Sequence, residues 1–275
     1  MGLVKHIPNT ITLLNLVSGV FGIISAARGD MGCAFAFMLA AAVFDVLDGA
    51  SARGLKAYSA IGKELDSLAD LVSFGVLPSL MLFFKMQEIF AGPAFLTYIP
   101  LFIVPCAALR LAKFNIDESQ AHGFKGLPVP AAAMFIGSAA ALLDIFVSGW
   151  FARLFANSFL VMPFAVYIPC RLMLSRLPMV SLKSFSKDAD MQGLDRQGGI
   201  PGEASGKAAG TRAVLFTVFL IPVIAGIVVL CAFLHEGFFP ALVSGICAMF
   251  TTYIIVNTVH GTIRWMHLMS GNAPR

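Results

Sequence analysis

Eight apolar windows, each long enough to cross the roughly 30 Å of a bilayer's hydrocarbon, constrain this chain more than any other feature. They run at 11–28, 31–50, 66–86, 93–114, 129–149, 153–176, 213–234 and 238–261. Backbone groups in hydrocarbon must be satisfied within their own segment, so repeated windows of this length predict spanning helices. The fold class expected is an all-α integral membrane protein, a helical bundle of about eight transmembrane helices. Only 12% of the residues are charged, against about 25% in a soluble domain, and no segment is long and polar enough to fold as a soluble domain. Pro163, Pro169 and Arg171 interrupt the sixth window, but membrane helices accept proline more readily than soluble ones do.

The basic residues orient the bundle. With both termini placed in the cytoplasm, sixteen of the 19 Lys and Arg fall on the inside, and only Arg28, Lys85 and Arg153 fall outside. That bias supports an even number of spans with N- and C-termini inside. The first window follows Lys5 and precedes Ser25-Ala26-Ala27, which resembles a signal-peptide cleavage site. Its length, with Asn9, Thr12 and Asn15 within or just before it, favours a retained helix. A net charge of +4 suits anionic lipid at a membrane surface, and no nucleic-acid partner is expected.

Residues 178–212 form the one extended polar stretch, rich in Gly, Ser and Lys, and read as a flexible cytoplasmic loop. Within it "GEASGKAAG" fails as a phosphate-binding loop, because its first Gly is misplaced and Ala208 stands where Ser or Thr is needed. Cys33, Cys106, Cys170, Cys231 and Cys247 are scattered singly and read as small buried hydrophobes. The five His residues show no ligand spacing and are expected at interfaces or in the core.

Running from the end of the second window into the start of the third, "DVLDGASARGLKAYSAIGKELDSLAD" places Asp45, Asp48, Asp66 and Asp70 within apolar spans. A carboxylate at the centre of a membrane helix costs about 2.5 to 3.5 kcal/mol, so these four need partners or an aqueous edge. Asp45 and Asp48 are three apart and Asp66 and Asp70 four apart, so each pair shares one helix face. Two such helices facing each other would converge hard oxygen ligands suited to Mg²⁺ or Mn²⁺, with Ca²⁺ possible, and to phosphate oxygens. Gly49, Ala52 and Gly62 keep the neighbouring surface small, and Arg53 adds a guanidinium able to hold a phosphate. A lone Asp at a helix end is more often a cap or a solvated residue. Four in this ordered setting argue for a site.

The same residues resemble the signature of the CDP-alcohol phosphotransferases, DxxDGxxARx8Gx3Dx3D, matched at Asp45, Asp48, Gly49, Ala52, Arg53, Gly62, Asp66 and Asp70. The resemblance implies transfer of a substituted phosphate from a CDP-linked donor to an alcohol with release of CMP, a divalent metal, and a commonly dimeric bundle. It also implies a six-helix core, here 1–177, followed by the 178–212 loop and two additional helices within 213–275. By the same resemblance Asp45, Asp48 and Asp66 are metal ligands, and Asp70 is the base that also touches metal. Gly49, Ala52, Arg53 and Gly62 would pack around the CDP group. "HIPNTITLLN" resembles the family's opening helix, so Asn9 and Thr12 would approach the nucleotide; Asn9 as a plain helix cap is an equal reading.

"ELDSLADLVSFGVLPSL", "ALRLAKFN" and "GFKGLPVPAAA" resemble the branch of that family that transfers to serine. The resemblance extends over most of residues 8–135 and implies CDP-diacylglycerol and L-serine as substrates, with glycerol 3-phosphate, inositol or choline as alternative acceptors. The serine carboxylate would need a cation. Arg110, Lys113 and Lys125 are candidates, with Asn115 as a polar contact, although Arg110 and Lys113 also fit ordinary positive-inside anchors. A cation transporter is the competing class. It would not require Arg53 and Gly62 at these spacings, and no inverted repeat of the acidic segment is visible. A compact chain of this kind suggests a bacterial inner membrane with its site on the cytoplasmic side.

Overall fold

In the computed structural model the described residues are 6–55, 57, 59–90, 92–116, 126–146, 161–175 and 238–269. Among them every regular element is helical. Helix α1 is Ile7–Ala27, α2 Met31–Gly54 and α3 Ala60–Asp70. A π-helical turn, Leu71–Val76, carries α3 directly into α4, Leu77–Ile89. A 3₁₀ segment, Ala94–Phe102, leads into α5, Ile103–Ile116, and α6 is Val129–Ile145, α7 Val161–Leu174 and α8 Phe238–Met269.

Five stretches are long and apolar enough to cross a membrane: Ile7–Ala27, Met31–Gly54, Ala60–Ile89, Ala94–Ile116 and Phe238–Val259. Val129–Ile145 and Pro163–Leu174 are apolar but shorter. The chain is thus an all-α membrane protein. The window at 213–234, the loop at 178–212 and the first part of the window at 153–176 lie outside the described residues. Where the third window predicts a helix from 66, the helix starts at Ala60, because the Ser59 hydroxyl accepts from the Gly62 amide at 3.0 Å and caps the new end. Hydropathy alone misses that amphipathic first stretch, which is polar enough to lie at the membrane edge.

Helix α1 shows how a membrane bundle inverts the soluble pattern. Its buried residues are Pro8, Thr12, Asn15, Ser18, Gly19, Gly22 and Ala26, a stripe at helical spacing made of small and polar side chains. Leu13, Leu14, Val17, Val20, Phe21 and Ile24 face outward. Lipid solvates such apolar side chains as well as a protein core does, so close packing and hydrogen bonding decide which face turns inward. Ser18 and Gly22, a small-residue pair too common to assign to a dimer face, pack inside the chain. At Gly22 a Cβ would lie 2.6 Å from a methyl of Leu77.

The apolar core sits deeper, where Phe35 and Met38 of α2, Phe74 of the π turn, Leu77 and Met81 of α4, and Ile136 and Leu143 of α6 are all buried. Helix α1 packs against α2, α3, the π turn and α4. It therefore holds both halves of the acidic motif, and the packing of these helices sets the geometry of the site.

Candidate metal centre and adjoining cleft

Asp45 and Asp48 lie in the last three turns of α2, and Asp66 lies in the second turn of α3. The two helices bring one carboxylate oxygen from each of these residues within 4.8 Å of one another. Ligand oxygens around a six-coordinate Mg²⁺ or Mn²⁺ stand roughly 3 to 4 Å apart, given metal–oxygen distances near 2.1 Å. The three carboxylates therefore fit a divalent cation in spacing and in hardness. Asp45 and Asp66 are half-buried, whereas Asp48 is 6% exposed. The Thr12 hydroxyl, from α1, donates to Asp48 Oδ2 at 2.6 Å, which holds the carboxylate in its orientation.

Asp70 is set apart from this group of three. It is buried at the end of α3, one turn deeper than Asp66, and its Oδ1 accepts from Asn15 Nδ2 at 3.4 Å. Asp45, Asp66 and Asp48 all act on it electrostatically. Spacing along the sequence treats the four carboxylates alike. The fold makes three of them a cation-sized cluster and leaves the fourth beside an amide.

A cleft of about 210 Å³ opens next to the cluster. Asp48 and Asp66 form part of its wall, together with Asn9, Thr12, Gly49, Ala52, Ser59, Gly62 and Lys63. Seven of these nine were singled out in the sequence; Ser59 and Lys63 were not. Asn9 stands in the first turn of α1 and His6 holds the cap position, so Asn9 faces the cleft and is not the helix cap. Gly62 is required by close approach, since a Cβ there would stand 2.8 Å from Asn9 Oδ1 and 2.8 Å from Ser59 Oγ. Arg53 is exposed at the end of α2, and its guanidinium folds over Gly49, 3.4 Å from where a Cβ would be.

The residues proposed for an acceptor are divided. Arg110 is 6% exposed; its Nε donates to the Leu127 carbonyl at 3.4 Å and its guanidinium lies over Phe114. It therefore joins α5 to the start of α6. Lys113 is exposed on α5. Asn115 donates from Nδ2 to Ser67 Oγ at 2.8 Å, and its carbonyl accepts from Lys63 Nζ at 3.0 Å, so the end of α5 is tied to α3 beside Asp66. Lys125 lies outside the described residues.

The profile of the CDP-alcohol phosphatidyltransferase family matches residues 5–170. The chain belongs to that family. Members depend on a divalent metal. The chain is also similar to proteins named CDP-diacylglycerol–serine O-phosphatidyltransferase. The one from Mycobacterium bovis is 36% identical over 187 residues, which cover 66% of this chain and 63% of that protein. The one from Bacillus subtilis is 38% identical over 130 residues, covering 47% of this chain and 72% of that protein. An archaetidylserine synthase from Methanothermobacter thermautotrophicus is 34% identical over 157 residues, covering 54% of this chain and 61% of that protein. The matched stretches thus span about three fifths of the mycobacterial and archaeal relatives. Helix α8 lies beyond the family match and packs against α6.

Proposed function

We propose that this chain transfers the phosphatidyl group of CDP-diacylglycerol to the hydroxyl of L-serine, giving phosphatidylserine and CMP. The observation that carries the reading is the cation-sized group of Asp45, Asp48 and Asp66, two of which, Asp48 and Asp66, line a cleft with the motif residues Gly49, Ala52 and Gly62. The names of the bacterial and archaeal relatives, each specifying serine, support the choice of acceptor.

Asp45, Asp48 and Asp66 would hold Mg²⁺ or Mn²⁺, and in this reading Asp70 touches the metal as well as serving as base. A divalent cation there supplies charge neutralisation for the pyrophosphate and for the departing CMP. Gly49, Ala52 and Gly62 leave room for the CDP group, Asn9 and Thr12 border it, and Arg53 offers a guanidinium to phosphate. Asp70 accepts the proton of the serine hydroxyl as its oxygen bonds to phosphorus and the bond from phosphorus to the CMP oxygen breaks. Arg110, Lys113, Asn115 and Lys125 belong to the acceptor side, Arg110 and Asn115 by fixing the C-terminal half of α5 and Lys113 and Lys125 by charge toward the serine carboxylate.

The working protein in this reading is a homodimer in a bacterial inner membrane, with both termini and the site cytoplasmic. Residues 1–177 form its catalytic core, 178–212 a cytoplasmic loop and 213–275 two added helices. The test is an acceptor panel on purified protein with CDP-diacylglycerol, Mg²⁺ or Mn²⁺, and serine, glycerol 3-phosphate, inositol or choline. Serine alone is expected to yield a new lipid with stoichiometric CMP. Product from glycerol 3-phosphate and none from serine would reject the acceptor, and no CMP with any alcohol would reject the activity.

A further inference from the structure

Asn15 is wholly buried, at 0% exposure, and its amide is only half satisfied. Nδ2 donates to Asp70 Oδ1 at 3.4 Å, while Oδ1 has no hydrogen-bond partner. A buried acceptor left unmade is destabilising, and an apolar side chain of the same shape would avoid the penalty. Asparagine at this position is therefore better explained by what it does to Asp70 than by what it adds to helix packing. The bond is long, as active-site hydrogen bonds commonly are before substrate binds.

The contact is backed from the other side. Ser73, also 0% exposed, donates its hydroxyl to the main-chain carbonyl of Asn15 at 3.0 Å. The same two segments are thus tied twice, by the side chain of residue 15 onto residue 70 and by the side chain of residue 73 onto the main chain of residue 15. Ser73 comes from the π-helical turn that begins immediately after Asp70. Gly19 lets that turn close on α1, since a Cβ there would stand 3.0 Å from Ser73 Cα and collide with its hydroxyl. Single π turns inserted into helices are frequent at functional sites.

We propose that Asn15 is a positioning residue that holds the Asp70 carboxylate in place as the base of the transfer, with Ser73 anchoring the main chain of Asn15 from the π-helical turn. This rests on the role given to Asp70 under the proposed function. Asn15→Leu keeps the branched shape and the number of heavy atoms and removes the N–H. In the purified full-length protein with Mn²⁺, kcat for serine-dependent CMP release is expected to fall about 10- to 100-fold, the scale of a misplaced reacting group. The KM for CDP-diacylglycerol should stay within about threefold, and the melting temperature within about 2 °C. Ser73→Ala, acting at one remove, should lower kcat by about threefold to tenfold with the same unchanged KM.

An unchanged kcat in Asn15→Leu overturns the proposal. So does a melting temperature lowered by more than about 5 °C with activity falling in step, which would make Asn15 simple packing. A second arm needs no turnover: the melting temperatures of Asn15→Leu, Asp70→Leu and the double variant. Non-additive shifts support the tie and additive shifts overturn it. Wild-type protein that releases no CMP would instead sink the proposed function, a failure distinct from additive melting in an active enzyme.

Discussion

The helix that runs from Ala60 to Ile89 carries a charged group near each end, and the two groups are built in opposite ways. About 28 Å of helical rise separates Asp66 from Lys85, close to the thickness of the hydrocarbon. At the far end Lys85, only 1% exposed, pairs with Asp144 of α6 at 2.8 Å and with Glu88 at 2.9 Å. Opposite charges meet there, and the chain closes its own electrostatics. At the near end like charges gather, and the partners of Asp48 and Asp70 are a neutral hydroxyl and a neutral amide. A closed pair is what a bundle needs to bury a lysine. A cluster of carboxylates is suited to a cation from outside, the role proposed for this end.

The sharpest way to break the contrast is Asp70→Asn, which keeps shape and removes the base. CMP release is expected to fall by about 10² to 10⁴, while Mn²⁺ affinity, read by electron paramagnetic resonance, changes less than in Asp66→Asn. Equal activity in Asp70→Asn would remove the distinction between Asp70 and the three clustered carboxylates. Next, Thr12→Val should weaken Mn²⁺ binding about 10- to 100-fold by freeing Asp48 from its 2.6 Å hydrogen bond. Affinity unchanged within error would show that Asp48 needs no such support.

Metal addition should act on one end of the helix only. Mn²⁺ is expected to raise the melting temperature of wild type by relieving repulsion among the carboxylates. Lys85→Met should show the same rise. Asp45→Asn and Asp66→Asn should lose it. The Lys85→Met protein itself should be less stable by about 1 to 3 kcal/mol, at the lower end for a broken buried pair because Asp144 is 33% exposed. Its kcat per folded molecule should equal that of wild type, and a tenfold fall would mean that the two ends are coupled. Smallest of all, Glu88→Gln should cost less than about 1 kcal/mol in denaturation, since Glu88 is 58% exposed.

Much of the bundle was legible because membrane spans are written locally. Windows of apolar residues predicted α1, α2 and the helices at 94–116 and 129–145 within a few residues, and found the helices at 60–89 and 238–269 while stopping short of the start of the first and the end of the second. The polar start of α3 was missed, as Ser59 and Gly62 signal a cap and not hydropathy. In the acidic motif, three- and four-residue spacings announced which carboxylates share a face, and the small residues beside them announced open space. Ser59, Lys63, Asn15 and Ser73 carried no such signal. Lys63 is followed by Glu64 and reads as a solvated surface charge, while Asn15 and Ser73 are ordinary polar residues in apolar runs whose partners lie 55 and 58 positions away.

By itself, then, the sequence determined an all-α membrane protein, the helix faces that carry Asp45, Asp48, Asp66 and Asp70, and, by resemblance of the motif to a known signature, the family. Only the tertiary structure decided that Asp45, Asp48 and Asp66 meet within 4.8 Å, that Asp70 stands beside Asn15, and that Lys85 closes on Asp144. The reason is geometric. Spacing along one helix fixes a direction around its axis, whereas the depth and rotation of that helix against its neighbours come from packing at residues such as Gly19, Gly22 and Gly62. Their absent side chains say that something comes close, and the fold decides what.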